Sequence, residues 1–278
     1  MKINFVFLRH GESCQQVAYN KKRGKEYNEF FRKFADPTLS DKGKIDSINA
    51  GKSIKEFLSK GDFIYDVRQY DYEKPIDLKI NDFDIIGSSP MLRAIETAYF
   101  MSNGNYGNDG NDGNDSKQEI FPFPYLRECY YCDSRDNLKL LDSQWPLKSI
   151  KDQEEYLKSV NIDNINFKYV KNVENGLRLE SGDIKKFIEW FGKNVELPDK
   201  PDKPDKESIN VLIVIHSHVL RKVGSGGHFD NNMGFIITST YQKDNKEIIY
   251  NEENLIAVWP TIKGAKFECP TVRCPDIC

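Results

Sequence analysis

Three short apolar runs constrain the fold of this 278-residue chain more than any other feature. They cover residues 3–8, 83–87 and 211–215, and large apolar side chains dominate each of them. Runs of this kind, without a regular polar alternation, predict strands that are buried on both faces of a parallel sheet. Polar residues follow the runs directly: Arg9 and His10, Ser88 and Ser89, and His216.

Segments with a helical period lie between these runs. Apolar residues recur every three or four positions after Ser40 and again after Ser181. A third helix is predicted to begin at Pro90, with Ser89 as its N-cap. The alternation of strands and helices predicts an α/β fold, a three-layer α/β/α sandwich with a mostly parallel central sheet. Further strands are predicted at residues 234–240 and 255–259.

The length fits a single domain, which we predict to span residues 1–278. Two low-complexity segments interrupt the pattern: residues 103–117 contain repeated Asn-Asp-Gly units, and residues 197–207 contain Pro-Asp-Lys repeats. Both lie between predicted elements, where extra residues lengthen a surface connection at a small entropic cost. We therefore expect two exposed loop insertions in one domain.

Charge and hydropathy argue against two classes of partner. The formal net charge is -3, the pI is near 5.9, and the basic residues do not gather into one block, so the sequence does not indicate nucleic-acid binding. No segment approaches the roughly 18 consecutive apolar residues of a membrane span. We therefore expect a soluble protein of the cytoplasm or another reducing compartment.

The cysteines could be interpreted as a metal site or as free thiols. Cys129 and Cys132 have the C-x-x-C spacing of zinc ligands, but the spacing of the cysteines near the C-terminus does not resemble a zinc knuckle. We predict free thiols and no metal. The six positions are Cys14, Cys129, Cys132, Cys269, Cys274 and Cys278.

The polar residues after the apolar runs predict one binding pocket. In open α/β sheets, ligands bind outside the carboxyl ends of the strands, so separate segments of the chain meet there. Two imidazoles (His10 and His216) and two guanidiniums (Arg9 and Arg93) would converge at this edge. Planar guanidinium groups pair well with phosphoryl oxygens, and we therefore predict a phosphate site.

A neutral imidazole that faces phosphorus can act as a nucleophile and form a covalent intermediate. We assign this role to His10, because the neighbouring arginines disfavour its protonated form and stabilise charge on the phosphoryl oxygens. The leaving oxygen then needs a proton from a carboxylic acid. Glu128 is our choice for this acid, and Glu12, two residues from the nucleophile, is the alternative.

Several motifs in this order resemble the histidine phosphatase superfamily, which includes the cofactor-dependent phosphoglycerate mutases. The sequence LRHGES resembles the R-H-G-E/Q-S/T signature, and SSPMLRAIETA resembles S-S-P-x-x-R-A-x-Q-T-A. His216 rather than His218 matches the second histidine of the family, because of its spacing to Arg221. The resembling segments are residues 8–13, 36–43, 88–98, 126–128 and 214–221.

The resemblance implies a phosphoglycerate mutase-like fold and a site that works without a metal or cofactor. It implies catalytic roles for Arg9, His10, Arg93, Glu128 and His216. Substrate contacts are predicted for Gly11, Ser13, Gln16 and Ser217. Two of these residues depart from the family pattern: Gln16 stands where many members have asparagine, and Ser217 stands where glycine is usual.

We predict a phosphatase that acts on a small phosphorylated substrate or a phosphoprotein through a phosphohistidine on His10. A mutase that returns the phosphoryl group to a second hydroxyl is the alternative within the same chemistry. The L-N-E-R-H-Y-G stretch of the mutases is missing around Glu128, which favours the phosphatase. A different class is a catalytically silent module that binds a phosphorylated ligand. The sequence predicts neither the oligomeric state nor the identity of the substrate.

Overall fold

A computed structural model describes residues 1–21, 36–60, 78–103, 118–128, 148–171, 182–198, 208–221, 231–250 and 255–258. The strands are β1 (Lys2–Arg9), β2 (Ile85–Ser88), β3 (Ile120–Pro122), β4 (Ser208–Ile215), β5 (Gly234–Gln242), β6 (Glu247–Ile249) and β7 (Leu255–Val258). The helices are α1 (Cys14–Lys21), α2 (Asp41–Lys60), α3 (Leu92–Ser102), α4 (Ile150–Ser159), α5 (Lys168–Lys171), α6 (Ile184–Asn194) and α7 (Ser217–Arg221).

The strands form one sheet in the order β3-β2-β4-β1-β5-β6, and β7 also pairs with β5. β1 is parallel to β4, and β2 is parallel to both β4 and β3. β5 runs antiparallel to β1, β6 and β7. Within the described part of the chain, β5 is therefore the one reversed strand, and the prediction of a mostly parallel central sheet is confirmed.

Alternate side chains of β1 enter two separate hydrophobic cores. Val6 and Leu8 belong to the core that α2, α3, α4 and α5 cover. Phe5 and Phe7 belong to the core on the opposite face, which α6 and α7 cover. Successive residues of a strand point to opposite faces, so a run that is apolar at every position needs cover on both sides. The predicted three-layer α/β/α sandwich is confirmed.

The start of α3 differs from the prediction. The helix begins at Leu92 rather than at Pro90, and its N-cap is Met91, which makes no side-chain capping bond. The capping group comes instead from Asp36, whose Oδ1 accepts the Leu92 N–H at 2.8 Å. Ser89, predicted as the cap from local sequence, takes part as well, because its Oγ accepts the Met91 N–H at 3.4 Å. A distant carboxylate therefore caps the first helical residue, and the predicted serine makes only a longer contact just before it.

The prediction of free thiols is wrong for one cysteine. Cys14, the first residue of α1, is disulfide-bonded. The other five cysteines, which include its partner and the C-x-x-C pair, lie outside the described residues. The prediction failed because sequence spacing says little about which cysteines meet in a fold.

Most of the two low-complexity segments, residues 104–117 and 199–207, also lies outside the described residues. The single-domain organisation and the exposure of these insertions stay predictions. Among the helices that the structure describes, none has both the length and the apolar composition needed to cross a membrane.

Candidate active site

Three neighbouring strands bring the predicted site residues to one edge of the sheet. β2, β4 and β1 are adjacent in that order. His10 follows β1 directly, and its backbone N–H donates to the Ile215 carbonyl at 2.9 Å. Ser89 follows β2, and its N–H donates to the Val214 carbonyl at 2.7 Å. Because these strands are parallel, their carboxyl ends lie together, as the sheet rule requires.

His10 is buried with both ring nitrogens engaged. Its Nδ1 lies 2.7 Å from the Gly11 carbonyl oxygen, and its Nε2 lies 3.1 Å from Arg93 Nε. A carbonyl oxygen only accepts and a guanidinium only donates, which assigns the proton to Nδ1 and the lone pair to Nε2. Burial lowers the pKa of His10 well below 6.5, and the charges of Arg93 and Arg9 lower it further. His10 is therefore a neutral imidazole whose Nε2 lone pair points toward Arg93.

His216 is also buried, and its ring centroid lies 5.0 Å from that of His10. Its Nε2 lies 2.8 Å from Ser89 Oγ, which also accepts the Met91 N–H at 3.4 Å. Glu128 Oε2, an acceptor, lies 3.5 Å from His216 Nδ1, which assigns the His216 proton to Nδ1 and leaves the Ser89 hydroxyl to donate to Nε2. Burial lowers the pKa of His216 well below 6.5. The neighbouring side chains lower it further, in the order Arg93, His10, Arg9 and His218.

Arg93 occupies the first turn of α3 and is buried. A buried cation beside the positive end of a helix dipole is unfavourable unless an anion is near. Its Nη2 lies 3.6 Å from Glu128 Oε2. Arg93 Nη1 and His216 Nδ1 are buried and have no hydrogen-bond partner among the residues that the structure describes. These two N–H groups are ready to donate to the oxygens of an anion.

The two candidate acids lie in different surroundings. Glu128 Oε2 lies 3.5 Å from His216 Nδ1, and Glu128 Oε1 lies 3.1 Å from His218 Nδ1. Glu12 Oε1 instead accepts from the Ser40 hydroxyl at 2.8 Å. The structure thus brings Glu128, and not Glu12, into contact with the histidine and arginine cluster.

The loop after β1 is held by close backbone packing. A Cβ on Gly11 would lie 2.6 Å from Ser47 Oγ and 2.9 Å from the Gly43 carbonyl oxygen, so a side chain does not fit there. The Gly11 N–H donates to Thr97 Oγ1 at 2.9 Å, and the Thr97 hydroxyl donates to the Arg93 carbonyl at 2.7 Å. Thr97 therefore ties the loop after β1 to the helix that carries Arg93.

The predicted substrate-binding residues beside this loop have mixed surroundings. Gln16 Oε1 accepts from the Ser13 backbone N–H at 2.9 Å, so this amide oxygen is already engaged by the protein. Asn231 Nδ2 donates to the His10 carbonyl at 2.8 Å and to Gln16 Oε1 at 3.3 Å. Ser217 Oγ is buried and has no hydrogen-bond partner among the described residues, which leaves it available to a ligand.

Three side chains place metal-ligating atoms within 4.8 Å of one another: His10, Glu128 and His216. A cation among them would lie beside the Arg93 guanidinium, whose Nε is 3.1 Å from His10 Nε2. Like charges at such distances repel, and burial strengthens the repulsion. The charges at this edge favour an anion, and independence of metal stays a prediction.

Sequence reasoning missed the residues that hold this cluster in place. Ser89 binds His216, Asp36 caps the helix of Arg93, and His218 binds Glu128. Their partners lie between 56 and 127 residues away along the chain. Asp36 and Ser89 lie in the segments 36–43 and 88–98 that resemble the family, but a motif alone does not say which atoms meet.

Neither a protein-family model nor a curated protein sequence matches the chain. Solved structures do match. An ecdysone phosphate phosphatase from Bombix mori, in complex with tungstate, is 12% identical with a TM-score of 0.46; the match covers 90% of this chain and 93% of that one. A mycobacterial glucosyl-3-phosphoglycerate phosphatase is 13% identical with a TM-score of 0.39, covering 90% and 97%.

A phosphoglycerate mutase from Bacillus anthracis is 16% identical with a TM-score of 0.38; the match covers 90% of this chain and 92% of that one. Likeness at this level does not determine a reaction, so the activity has to be argued from the side chains of the site.

Proposed function

We propose that the protein hydrolyses phosphomonoesters through a phosphohistidine on His10. The observation that carries the proposal is the neutral, buried His10 with its Nε2 lone pair 3.1 Å from Arg93 Nε. The N–H groups without partners on Arg93 and His216 lie beside it. A phosphoryl group has a centre that can be attacked and several oxygens to bind, which matches one lone pair surrounded by donors.

In the first half of the reaction, His10 Nε2 attacks phosphorus while the bond to the ester oxygen breaks. Glu128, in its protonated form, gives its proton to the leaving oxygen, and the free alcohol departs. Arg93, His216 and Arg9 stabilise the negative charge on the phosphoryl oxygens. Substrate binding displaces the contact between Arg93 Nε and His10 Nε2, since both groups then turn to the phosphoryl group.

In the second half, a water oxygen attacks the phosphohistidine. Glu128, now a carboxylate, takes one proton of that water, and the electron pair of the N–P bond returns to His10 Nε2. Phosphate leaves, and Glu128 is protonated again for the next cycle. The substrate would be a small phosphorylated molecule or a phosphorylated protein side chain.

Two substrates with different leaving groups test the assignment of nucleophile and acid. We expect His10→Gln to lose at least about a thousand-fold in kcat/KM on p-nitrophenyl phosphate and on glycerol phosphate. Glu128→Gln should lose much more kcat/KM on glycerol phosphate than on p-nitrophenyl phosphate, because a leaving alkoxide needs a proton and a leaving nitrophenolate does not. Rates are measured as released phosphate, with and without a chelator.

Glu12→Gln is the matched control, since Glu12 is held by Ser40 away from the cluster. This variant should keep wild-type activity within twofold on both substrates. Loss in Glu12→Gln together with full activity in Glu128→Gln would contradict the choice of acid. Absence of turnover in the wild type, or full activity in His10→Gln, would refute the proposed function. Transfer of label from the phosphohistidine to an added alcohol rather than to water would identify a mutase.

A further inference from the structure

The Glu128 carboxyl group is divided between two environments. Its Oε2 faces the reacting groups, at 3.5 Å from His216 Nδ1 and 3.6 Å from Arg93 Nη2. Its Oε1 faces away from them, at 3.1 Å from His218 Nδ1. Only this last distance is within hydrogen-bonding range for N–H and oxygen. Within the described part of the chain, His218 is thus the one side chain that hydrogen-bonds to Glu128.

The four side chains also differ in exposure. His216 is 0% exposed, Arg93 is 4% exposed and Glu128 is 12% exposed, whereas His218 is 36% exposed. Both imidazoles reach the same carboxyl group because they are close in the chain. His216 lies between β4 and α7, and His218 is the second residue of α7. His218 therefore contacts Glu128 from the solvent side, and His216 contacts it from the phosphate side.

We propose that His218 positions Glu128 for the second half of the reaction. His218 Nδ1–H donates to Oε1 of the Glu128 carboxylate, the form that takes a proton from water in the second half, and this bond keeps Oε2 turned toward the phosphohistidine. The attacking water then gives one proton to Oε2, its oxygen bonds to phosphorus, and the N–P electron pair returns to His10. The inference rests on the proposed function.

The hydrogen bond from His218 is strongest when Glu128 is charged. A hydrogen bond to a charged group contributes roughly 1.5–3 kcal/mol, about twice the worth of a neutral one. The first half does not use the charged carboxylate, and nitrophenolate leaves without a proton from Glu128, so the contact from His218 matters less there. Loss of His218 should therefore slow removal of the phosphoryl group from His10 more than its arrival.

The test measures the two halves separately with p-nitrophenyl phosphate in a rapid-quench instrument. The first half is the initial release of nitrophenolate, and the second half is the loss of labelled phosphate from the phosphoenzyme. For His218→Ala we expect an unchanged first half, within about twofold, and a second half slowed by at least about tenfold. Labelled enzyme should accumulate.

His218→Asn is the matched variant, because its amide nitrogen occupies nearly the place of the imidazole Nδ1 and can donate to Oε1. It should restore most of the second-half rate. The double variant Glu128→Gln with His218→Ala should be no slower than Glu128→Gln alone, since His218 acts through Glu128.

Three results would overturn the inference: equal slowing of both halves, no slowing at all, or independent effects that multiply in the double variant. A His218 that merely supports the fold would give the first of these, and Asn would not rescue it. The failure of the proposed function has a different signature, because the wild type would then release no nitrophenolate and carry no label.

Discussion

The two buried histidines of the candidate site present opposite chemistry to a ligand. His10 donates its Nδ1–H to the Gly11 carbonyl and offers a lone pair at Nε2. His216 is bound at Nε2 by the Ser89 hydroxyl and offers an N–H at Nδ1. One ring is prepared to attack, and the other is prepared to donate. A single hydroxyl group and a single carbonyl group select these states.

Ser89→Ala is expected to lower kcat/KM for a phosphomonoester by roughly tenfold, because a buried imidazole nitrogen loses its partner and the Nδ1–H state of His216 is no longer favoured. Steady-state rates measure the loss. Ser88→Ala is the control: the neighbouring Ser88 hydroxyl is buried but makes no hydrogen bond within the described residues. It should stay within about twofold of the wild type. Equal losses in both variants would show that Ser89 has no special role.

At this scale the sequence predicts which residues meet, but not how they bond. His10, Arg93 and His216 follow apolar runs or helix starts, and parallel strands bring such positions together. The bond between Ser89 and His216 joins residues 127 apart. It depends on β2 lying next to β4, and an isolated sequence does not specify that neighbour.

Among the elements, α3 carries Arg93 of the proposed phosphate site, and two buried carboxyl groups anchor it. Asp36 Oδ1 caps its first turn at Leu92 N. Glu96, one turn further on, accepts the Leu39 N–H at 2.6 Å and the Tyr156 hydroxyl at 2.7 Å. Burial raises the pKa of Glu96 from 4.5 to about 7, against the lowering effect of these two hydrogen bonds.

This raised pKa makes stability depend on pH. Between pH 4.5 and about 7 the folded state holds a proton on Glu96 that the unfolded state has lost. The stabilising contribution of Glu96 to the free energy of unfolding is therefore full below pH 4.5 and falls as the pH rises to about 7. At about 1.4 kcal/mol per pKa unit, the fall is at most on the order of 3 kcal/mol. Glu96→Gln, which stays neutral, should lack this fall.

The expected result is that Glu96→Gln gains stability relative to the wild type between pH 5 and pH 8, as measured by urea unfolding. Glu155→Gln serves as the control, since Glu155 is an exposed carboxylate on α4. Its difference from the wild type should not change with pH. A pH-independent difference for Glu96→Gln would show that Glu96 does not titrate in this range.

The sequence predicts the existence of α3 but not its beginning. Ser89 and Pro90 have the residue types of a helix start, and the structure starts the helix at Leu92. The cap comes from Asp36, 56 residues earlier. A local rule anticipates the contact of Ser89 with the Met91 N–H, but neither a carboxylate from a distant segment nor the shorter bond between Ser89 and His216.

Over the whole molecule, stability should depend on the aromatic core under α6. The Phe187 ring lies 5.5–6.1 Å, centroid to centroid, from those of Phe5, Phe7, Phe123 and Phe191. Phe187→Ala should lower the free energy of unfolding by about 3–5 kcal/mol, because it leaves a cavity among rings that cannot close on it. Phe187→Leu should cost much less. Urea unfolding checks both.

Ile45→Ala provides the comparison, since Ile45 is one of the exposed large apolar residues of α2. Its cost should stay within about 0.5 kcal/mol. A similar cost at Ile45 and Phe187 would contradict the two-core description. The sequence predicts burial on both faces through the nearly continuous apolar run of β1, but not the place of β1 between β4 and the reversed β5.

The cap on α3 also bears on when the proposed phosphate site can form during synthesis. Asp36 leaves the ribosome before α3, while Gln153, which donates to the other oxygen of Asp36 and to the Pro90 carbonyl, follows Asp36 by 117 residues. A nascent chain that ends before Gln153 contains Arg93 but lacks the two hydrogen bonds that hold Asp36 and Pro90 together. The proposed site is therefore completed late in the growth of the polypeptide.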